Sequence, residues 1–378
     1  MVSRAERSPF ADWWWTVDRW LLTGLGALMV LGIVLTMAGS PAVAERLGLQ
    51  SFHFVNRQVL FLGVCAAFLV GISFLPPRYV RRLALFIYIG GMALVVATLL
   101  YGVEVKGSKR WILGIQPSEF IKPAFVILAA WAFSEGARRR DVPGTLIAMA
   151  LLPLTVAPLV LQPDIGQTIL ISTVWAALFF MAGLHYLWVA GIGGLGVTGV
   201  YFAHRYIPHV RSRIDKFLDP AAGGVSASDT FQVDTAMESF ISGGWFGKGP
   251  GEGTMKRILP DSHTDFIFAV TGEEFGVLFC MVIVSIFAVI VLRGLYISSK
   301  NEDPFCRFAA AGLVVLFGVQ SAINMAVNLH LMPAKGMTLP FISYGGSSMI
   351  SLGIGMGFLI AVTRRRPRAE ISRPVSAS

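Results

Sequence analysis

Apolar stretches of about 20 residues recur along almost the whole 378-residue chain, separated by short polar or basic connections. A helix rises about 1.5 Å per residue, so each such stretch is long enough to cross the ~30 Å hydrocarbon layer of a bilayer. The pattern predicts ten spans, over residues 20–38, 59–75, 83–103, 120–133, 145–161, 168–183, 186–203, 266–292, 308–329 and 344–363. The expected fold class is therefore all-α, a polytopic integral membrane protein. Pro123, Pro153 and Pro158 fall inside spans, where neighbouring helices of a bundle can satisfy the carbonyls they free.

The connections alternate in charge. Seventeen Lys and Arg lie in the N-terminal segment, in every second connection and in the tail, among them Arg78, Arg81, Arg138 and Arg364 to Arg366; the opposite short connections hold six. Basic residues stay on the cytoplasmic side, so residues 1–19 and 364–378 are expected there, flanking a single membrane domain over residues 20–363. Residues 204–265 then form a large periplasmic loop between the seventh and eighth spans. Its apolar residues Phe217, Phe231, Phe240, Trp245 and Phe246 argue for partial order, with an interfacial helix over 237–241 and a flexible stretch over 221–228. Ala42-Val43-Ala44 after the first span resembles a leader-cleavage site, but a 19-residue apolar run exceeds the core of a leader, and an uncleaved anchor is expected.

Composition narrows the function. With 55% hydrophobic and 14% charged residues and a mean hydropathy of +0.67, the chain is neither a soluble domain nor disordered. The net charge of +9 lies in clusters between spans and not along one polar face, which argues for membrane orientation and against nucleic acid. Cys65, Cys280 and Cys306 are scattered, without the spacing of a disulfide framework or a zinc site. There is no phosphate-binding GxxxxGK[ST], no HExxH and no GxGxxG between a strand and a helix. Any reaction must draw on an activated substrate or a gradient.

Four polar groups gather at the outer ends of the spans. The first runs from Lys106 through Lys109, Arg110 and Trp111 to Gln116-Pro117-Ser118-Glu119, with Lys122 three residues on. Glu119 and Lys122 share a helix face and could pair, as a boundary salt bridge or as part of a site. The second is Gln162-Pro163-Asp164-Ile165-Gly166-Gln167, a tight turn in which Asp164 could cap the sixth span or serve a site. The third, Asp261-Ser262-His263-Thr264-Asp265, enters the eighth span, with Glu273 and Glu274 further in, where carboxylates are costly unless paired or wet. The fourth, Lys335-Gly336-Met337-Thr338-Leu339-Pro340-Phe341-Ile342-Ser343-Tyr344-Gly345-Gly346-Ser347-Ser348, reads as a re-entrant loop leading into the tenth span.

Together and in this order, the Gln-Pro-Ser-Glu, Gln-Pro-Asp-x-Gly and His-Thr-Asp-Phe-Ile-Phe-Ala-Val motifs resemble the SEDS family (shape, elongation, division and sporulation), membrane glycosyltransferases that polymerise peptidoglycan. The likeness runs from about residue 20 to residue 366, and the segment around Ser343 to Ser348 is closer to the division-type than to the elongation-type members. It implies a SEDS-type bundle in the inner membrane at the division septum, and lipid II as substrate. It also implies Asp265 as the catalytic residue, with Lys109, Arg110, Glu119, Lys122, Gln162, Asp164, His263, Lys335, Ser343 and Ser347 as substrate-binding candidates. The partners it implies are a class B penicillin-binding protein transpeptidase and other membrane proteins of the division machinery. The loop departs from the family at Phe231-Gln232 and at Gly249-Pro250-Gly251, which marks a lineage variant.

That chemistry suits the residues. Forming a β-1,4 glycosidic bond from an α-linked pyrophosphate takes one in-line displacement and a base for the acceptor hydroxyl. A pyrophosphate leaves as a stable anion, so the second carboxyl of a glycoside hydrolase is unnecessary. Asp265 is the expected base, and the cations expected to hold pyrophosphate are among Lys106, Lys109, Arg110, Lys122, Lys256, Arg257 and Lys335. No cofactor is expected; a divalent cation could help neutralise pyrophosphate, but no ligand cluster demands one. The competing readings are a lipid II flippase, a non-catalytic scaffold for division and an elongation-type polymerase.

Overall fold

The protein, as a computed structural model, is described over residues 8–105, 108–139, 141–183, 186–206, 227–259, 261–333 and 336–365, together with Arg211 and Asp215. Lys106, Lys335, Phe217, the stretch 221–226 and the tail beyond Arg365 lie outside the described residues.

Ten helices occupy the positions of the ten expected spans. They are α2 (Arg19–Arg46), α3 (His53–Ser73), α4 (Pro77–Tyr101), α5 (Pro117–Arg138), α6 (Gly144–Leu161), α7 (Ile165–Met181), α8 (Tyr186–Tyr206), α10 (Ile267–Ser299), α11 (Pro304–Asn328) and α12 (Gly346–Thr363). Eight of them are long and apolar enough to cross a membrane, and α7 is apolar but only 17 residues long. Several start earlier than hydropathy alone suggests, because local start signals override it. Pro77, Pro117 and Pro304 stand in the first turns of α4, α5 and α11, where the missing N–H is no loss, and the Asp18 side chain accepts from the Leu21 N–H to cap α2.

The centre of the bundle is α5, α11 and α12. Buried residues make up 67%, 72% and 83% of their apolar windows, whereas no other span of the eight exceeds 39%. Glycine allows close contact with these helices: a Cβ on Gly353 of α12 would lie 2.5 Å from the Cys65 carbonyl oxygen of α3. With Gly357 one turn on, this is the small-xxx-small spacing by which membrane helices approach closely.

Three features were not expected. First, the N-terminal segment contains a helix, α1 (Pro9–Thr16), capped by Ser8. Its buried Trp13 donates to Ser73 Oγ at 2.6 Å, and Arg364 donates to Thr16 Oγ1 at 3.0 Å, so both ends of the membrane domain meet at one place. Second, a small antiparallel hairpin, β1 (Val103–Val105) and β2 (Ser108–Trp111), joins α4 to α5. Third, the helix expected over 237–241 is far longer: α9 (Ala227–Gly243) begins inside the stretch expected to be flexible. It packs on α10 so closely that a Cβ on Gly243 would stand 2.1 Å from the Gly272 carbonyl oxygen.

Helix α10 is not continuous. Gly276 adopts φ 82° and ψ 171°, and the carbonyls of Glu273 and Glu274 just before the break accept N–H groups of Lys248 (2.9 Å) and Gly249 (3.0 Å) from the loop after α9. Backbone groups that a kink would leave unpaired are satisfied by that loop.

Candidate active site

Asp265 precedes α10. The turn before it is closed by Asp261, a residue at φ 54°, whose carbonyl accepts from the Thr264 N–H (3.0 Å) and from Thr264 Oγ1 (3.1 Å). The first helical residue is Ile267, so the half-buried Asp265 lies at the N-terminal, positive end of a helix dipole. Two buried carboxamides of α11, Asn324 and Asn328, each donate to the Asp265 main-chain carbonyl at 2.9 Å. Asn324 also donates to the Met337 carbonyl at 2.6 Å, which brings the fourth polar group to the same place: a Cβ on Gly336 would lie 3.7 Å from Asp265 Oδ2.

The same face of α11 continues to Gln320, one turn before Asn324. Gln320 Nε2 donates to the Thr338 carbonyl at 3.1 Å, and its Oε1 accepts from Lys122 Nζ at 3.0 Å. Lys122 pairs with Glu119 at 2.8 Å, and Glu119 accepts from Gln167 Nε2 at 2.6 Å. All four side chains are buried, so the salt bridge expected from the spacing of Glu119 and Lys122 is an interior one and not a snorkelling boundary pair. A cleft beside it is lined by Glu119, Lys122, Leu313, Phe317, Gln320 and Met356.

The first two polar groups meet around Asp164, which caps α7 by accepting from the Gln167 N–H at 3.4 Å. Arg110 of the hairpin donates to the Pro163 carbonyl at 2.5 Å and the Gln162 carbonyl at 3.4 Å, with its Nη1 3.6 Å from Asp164 Oδ1. Gln162 in turn donates to the Val95 carbonyl at 3.0 Å and to Thr98 Oγ1. Ser343 Oγ accepts from the Leu339 N–H at 2.8 Å and closes the re-entrant turn, while Ser347 Oγ accepts from the Gln116 N–H at 3.1 Å and ties α12 to the start of α5. One polar system thus runs from Arg110 through Asp164, Gln167, Glu119, Lys122 and Gln320 to the loop beside Asp265.

His263 stands apart from this chain. Its ring packs 4.5 Å from the Phe54 centroid and 5.5 Å from that of Tyr344, and its carbonyl accepts from the Tyr344 N–H at 3.0 Å. Burial pushes its imidazole down to about 4, leaving it neutral at pH 7. Lys109 and Arg257 present exposed side chains, but Lys256 does not. It is buried against Glu274 at 2.5 Å and donates to the carbonyls of Ala38 and Gly251, while Glu273 accepts from Lys248, Thr254 and Met255. Glu273, Glu274 and Lys256 therefore anchor the loop after α9 onto α10. Of the candidate cations, Lys256 is thus engaged in a buried ion pair.

Gln167 stands in the second polar group without a role of its own there, and Gln320, Asn324 and Asn328 are residues that the motifs do not single out. A signal existed for the last three: polar residues at 320, 324 and 328 recur every four positions within an apolar span and so share one face. Among the described residues no three His, Cys, Asp or Glu side chains gather as a metal site, and the three cysteines are buried.

Residues 19–368 match a family model described as "Cell cycle protein", which groups FtsW, RodA and SpoVE. The chain is 46% identical over 372 residues to a probable peptidoglycan glycosyltransferase FtsW of Caulobacter vibrioides, covering 97% of this chain and 94% of that protein. It is 32% identical over 375 residues to a protein of the same name from Legionella pneumophila, covering 95% and 94%. Among solved structures, it matches a chain from a study of the structural coordination of polymerization and crosslinking by a peptidoglycan synthase complex. The TM-score is 0.75 at 25% identity, over 92% of this chain and 97% of that one. The Rod shape determining protein RodA of Thermus thermophilus matches with a TM-score of 0.67 at 24% identity, over 94% and 99%.

Proposed function

The chain belongs to the FtsW, RodA and SpoVE family of cell cycle proteins, and from that premise we propose that it is a peptidoglycan glycosyltransferase of the FtsW type, polymerising lipid II in septal wall synthesis during cell division. The observation that carries the reading is the placement of Asp265: a carboxylate at the mouth of α10, its backbone gripped by two asparagines, at the end of the bundle where the polar motifs converge.

In this reading the Asp265 carboxylate accepts the proton of the acceptor sugar's 4-hydroxyl. The hydroxyl oxygen attacks the anomeric carbon of the donor, the bond from that carbon to the pyrophosphate oxygen breaks with inversion, and undecaprenyl pyrophosphate departs as an anion. One base suffices because the leaving group needs no proton. In this reading the exposed Lys109 and Arg257, with Lys335, meet the pyrophosphate at the membrane surface, and Arg110 with the buried Glu119, Lys122, Gln162, Asp164, Ser343 and Ser347 holds the surrounding segments in place. His263, buried and neutral, supports the site by packing.

The enzyme sits in the inner membrane with both termini cytoplasmic, consistent with the Arg-rich junction of Thr16 and Arg364. Its partner is a class B penicillin-binding protein transpeptidase, which would couple polymerisation to crosslinking at the septum. Labelled lipid II in vesicles bearing the protein and that transpeptidase tests the function: a polymerase lengthens glycan, whereas a flippase moves label across the bilayer without lengthening it.

A further inference from the structure

We propose that Asn324 and Asn328 are positioning residues that fix Asp265 for its work as a base, an inference that rests on the reading of Asp265 given above. Helix α10 has no side-chain cap of its own, since Phe266 occupies the cap position and offers no acceptor. Its third amide, Ala269 N–H, is shared between the Phe266 carbonyl at 3.1 Å and Asn328 Oδ1 at 3.1 Å. Asn328 supplies from a neighbouring helix the acceptor that a Ser or Asp would ordinarily supply locally.

The orientation of that carboxamide is settled by its partners. A main-chain N–H can only donate, so Oδ1 faces Ala269, and Nδ2 is left to donate to the carbonyls of Asp265 (2.9 Å) and Asn324 (2.9 Å). Asn324 completes the grip with its own donation to Asp265 and to Met337 of the re-entrant loop. Two donors on one carbonyl oxygen use both of its lone pairs, and neither asparagine is more than 1% exposed. The Asp265 backbone is thereby tied to α11 and to the loop beside its carboxylate, while its side chain stays half-buried at the helix mouth. A base must sit within hydrogen-bond reach of the proton it takes, and a displacement of about 1 Å can lower a rate roughly 100-fold.

Two substitutions at one position separate the roles. Asn328→Asp keeps the acceptor for Ala269 and loses the donor to Asp265; Asn328→Ala loses both. The assay is glycan polymerisation by the full-length protein in complex with its transpeptidase, with Asp265→Asn as control, together with hydrogen exchange over residues 266–272. The expected result is a fall in kcat of roughly 10- to 100-fold in Asn328→Asp and Asn324→Asp with KM within about twofold. Exchange should stay slow in Asn328→Asp and quicken in Asn328→Ala. The inference is overturned if both Asp variants keep kcat within about twofold of the parent, if the loss lies in KM alone, or if exchange in Asn328→Ala is unchanged. Should Asn328→Asp not assemble, Asn324→Asp carries the same test, since it keeps the cap. Full activity in Asp265→Asn would instead remove the reading on which the inference stands, and the two failures are told apart by that control.

Discussion

Lys256 Nζ meets Glu274 Oε1 at 2.5 Å in the protein interior, and this contact fastens the loop after α9 to the first segment of α10. Neither charge reaches solvent, so removing one leaves the other desolvated and unpaired, a loss of about 3–5 kcal/mol. Lys256→Met should lower the melting temperature of the detergent-solubilised protein sharply, and Lys256→Met with Glu274→Gln should recover most of it. A single variant that melts like the parent would show that the pair anchors nothing.

Gly276 lies where only glycine fits. At φ 82° a side chain is strained, and a Cβ would stand 2.4 Å from the Trp245 carbonyl oxygen. Gly276→Ala should abolish the monodisperse peak in size-exclusion chromatography. Gly26→Ala on α2, where a Cβ meets nothing within 4 Å, should leave it intact. Equal behaviour of the two variants would mean that the break in α10 does not depend on glycine.

His263 makes stability depend on pH in a definite direction. Its folded value of about 4 lies below the ordinary 6.5, so the unfolded chain binds the extra proton between the two. The contribution is fully present above about pH 6.5 and is lost as pH falls towards 4, reaching at most about 3 kcal/mol. Thermal melts between pH 7 and pH 4 should show a decline that His263→Gln flattens; a parent and variant with parallel profiles would contradict it.

Gln320 joins the Lys122 pair to the re-entrant loop through the Thr338 carbonyl. Gln320→Leu strands a buried ammonium hydrogen and a carbonyl, at roughly 1–3 kcal/mol for each group left unsatisfied. Hydrogen exchange should quicken over residues 337–343 while α12 beyond Ser351 stays protected. Unchanged exchange in the loop would show that Gln320 does not hold it.

Hydropathy sufficed to locate ten helices, eight of them long and apolar enough to cross a membrane, because in a bilayer each helix must satisfy its own backbone and the signal is local. The ends were less legible. Residues 83–103 were expected where α4 runs from Pro77 to Tyr101, since Arg78, Arg81 and Arg82 depress the hydropathy of a turn that Pro77 nevertheless starts. Helix α9 was read as five residues because its apolar positions are sparse, although Val233, Ala236 and Phe240 mark one buried face. Of the candidate site, the motifs announced Asp265, Glu119, Lys122 and Asp164. They did not announce that Glu273 and Glu274 hold a loop, or that Asn324 and Asn328 hold Asp265. Those roles depend on which helix lies opposite, information that a local pattern does not contain.

The central claim is that Asp265 is the base of glycan polymerisation. Its most direct test is the rate of glycan formation from purified lipid II by the full-length protein with its transpeptidase, compared with Asp265→Asn, which keeps the shape and the Asn324 and Asn328 contacts to the backbone. General-base catalysis is worth about 100- to 10,000-fold, so the variant should lose at least about 100-fold in kcat while still assembling and binding lipid II. An Asp265→Asn complex that polymerises within about twofold of the parent would contradict the account.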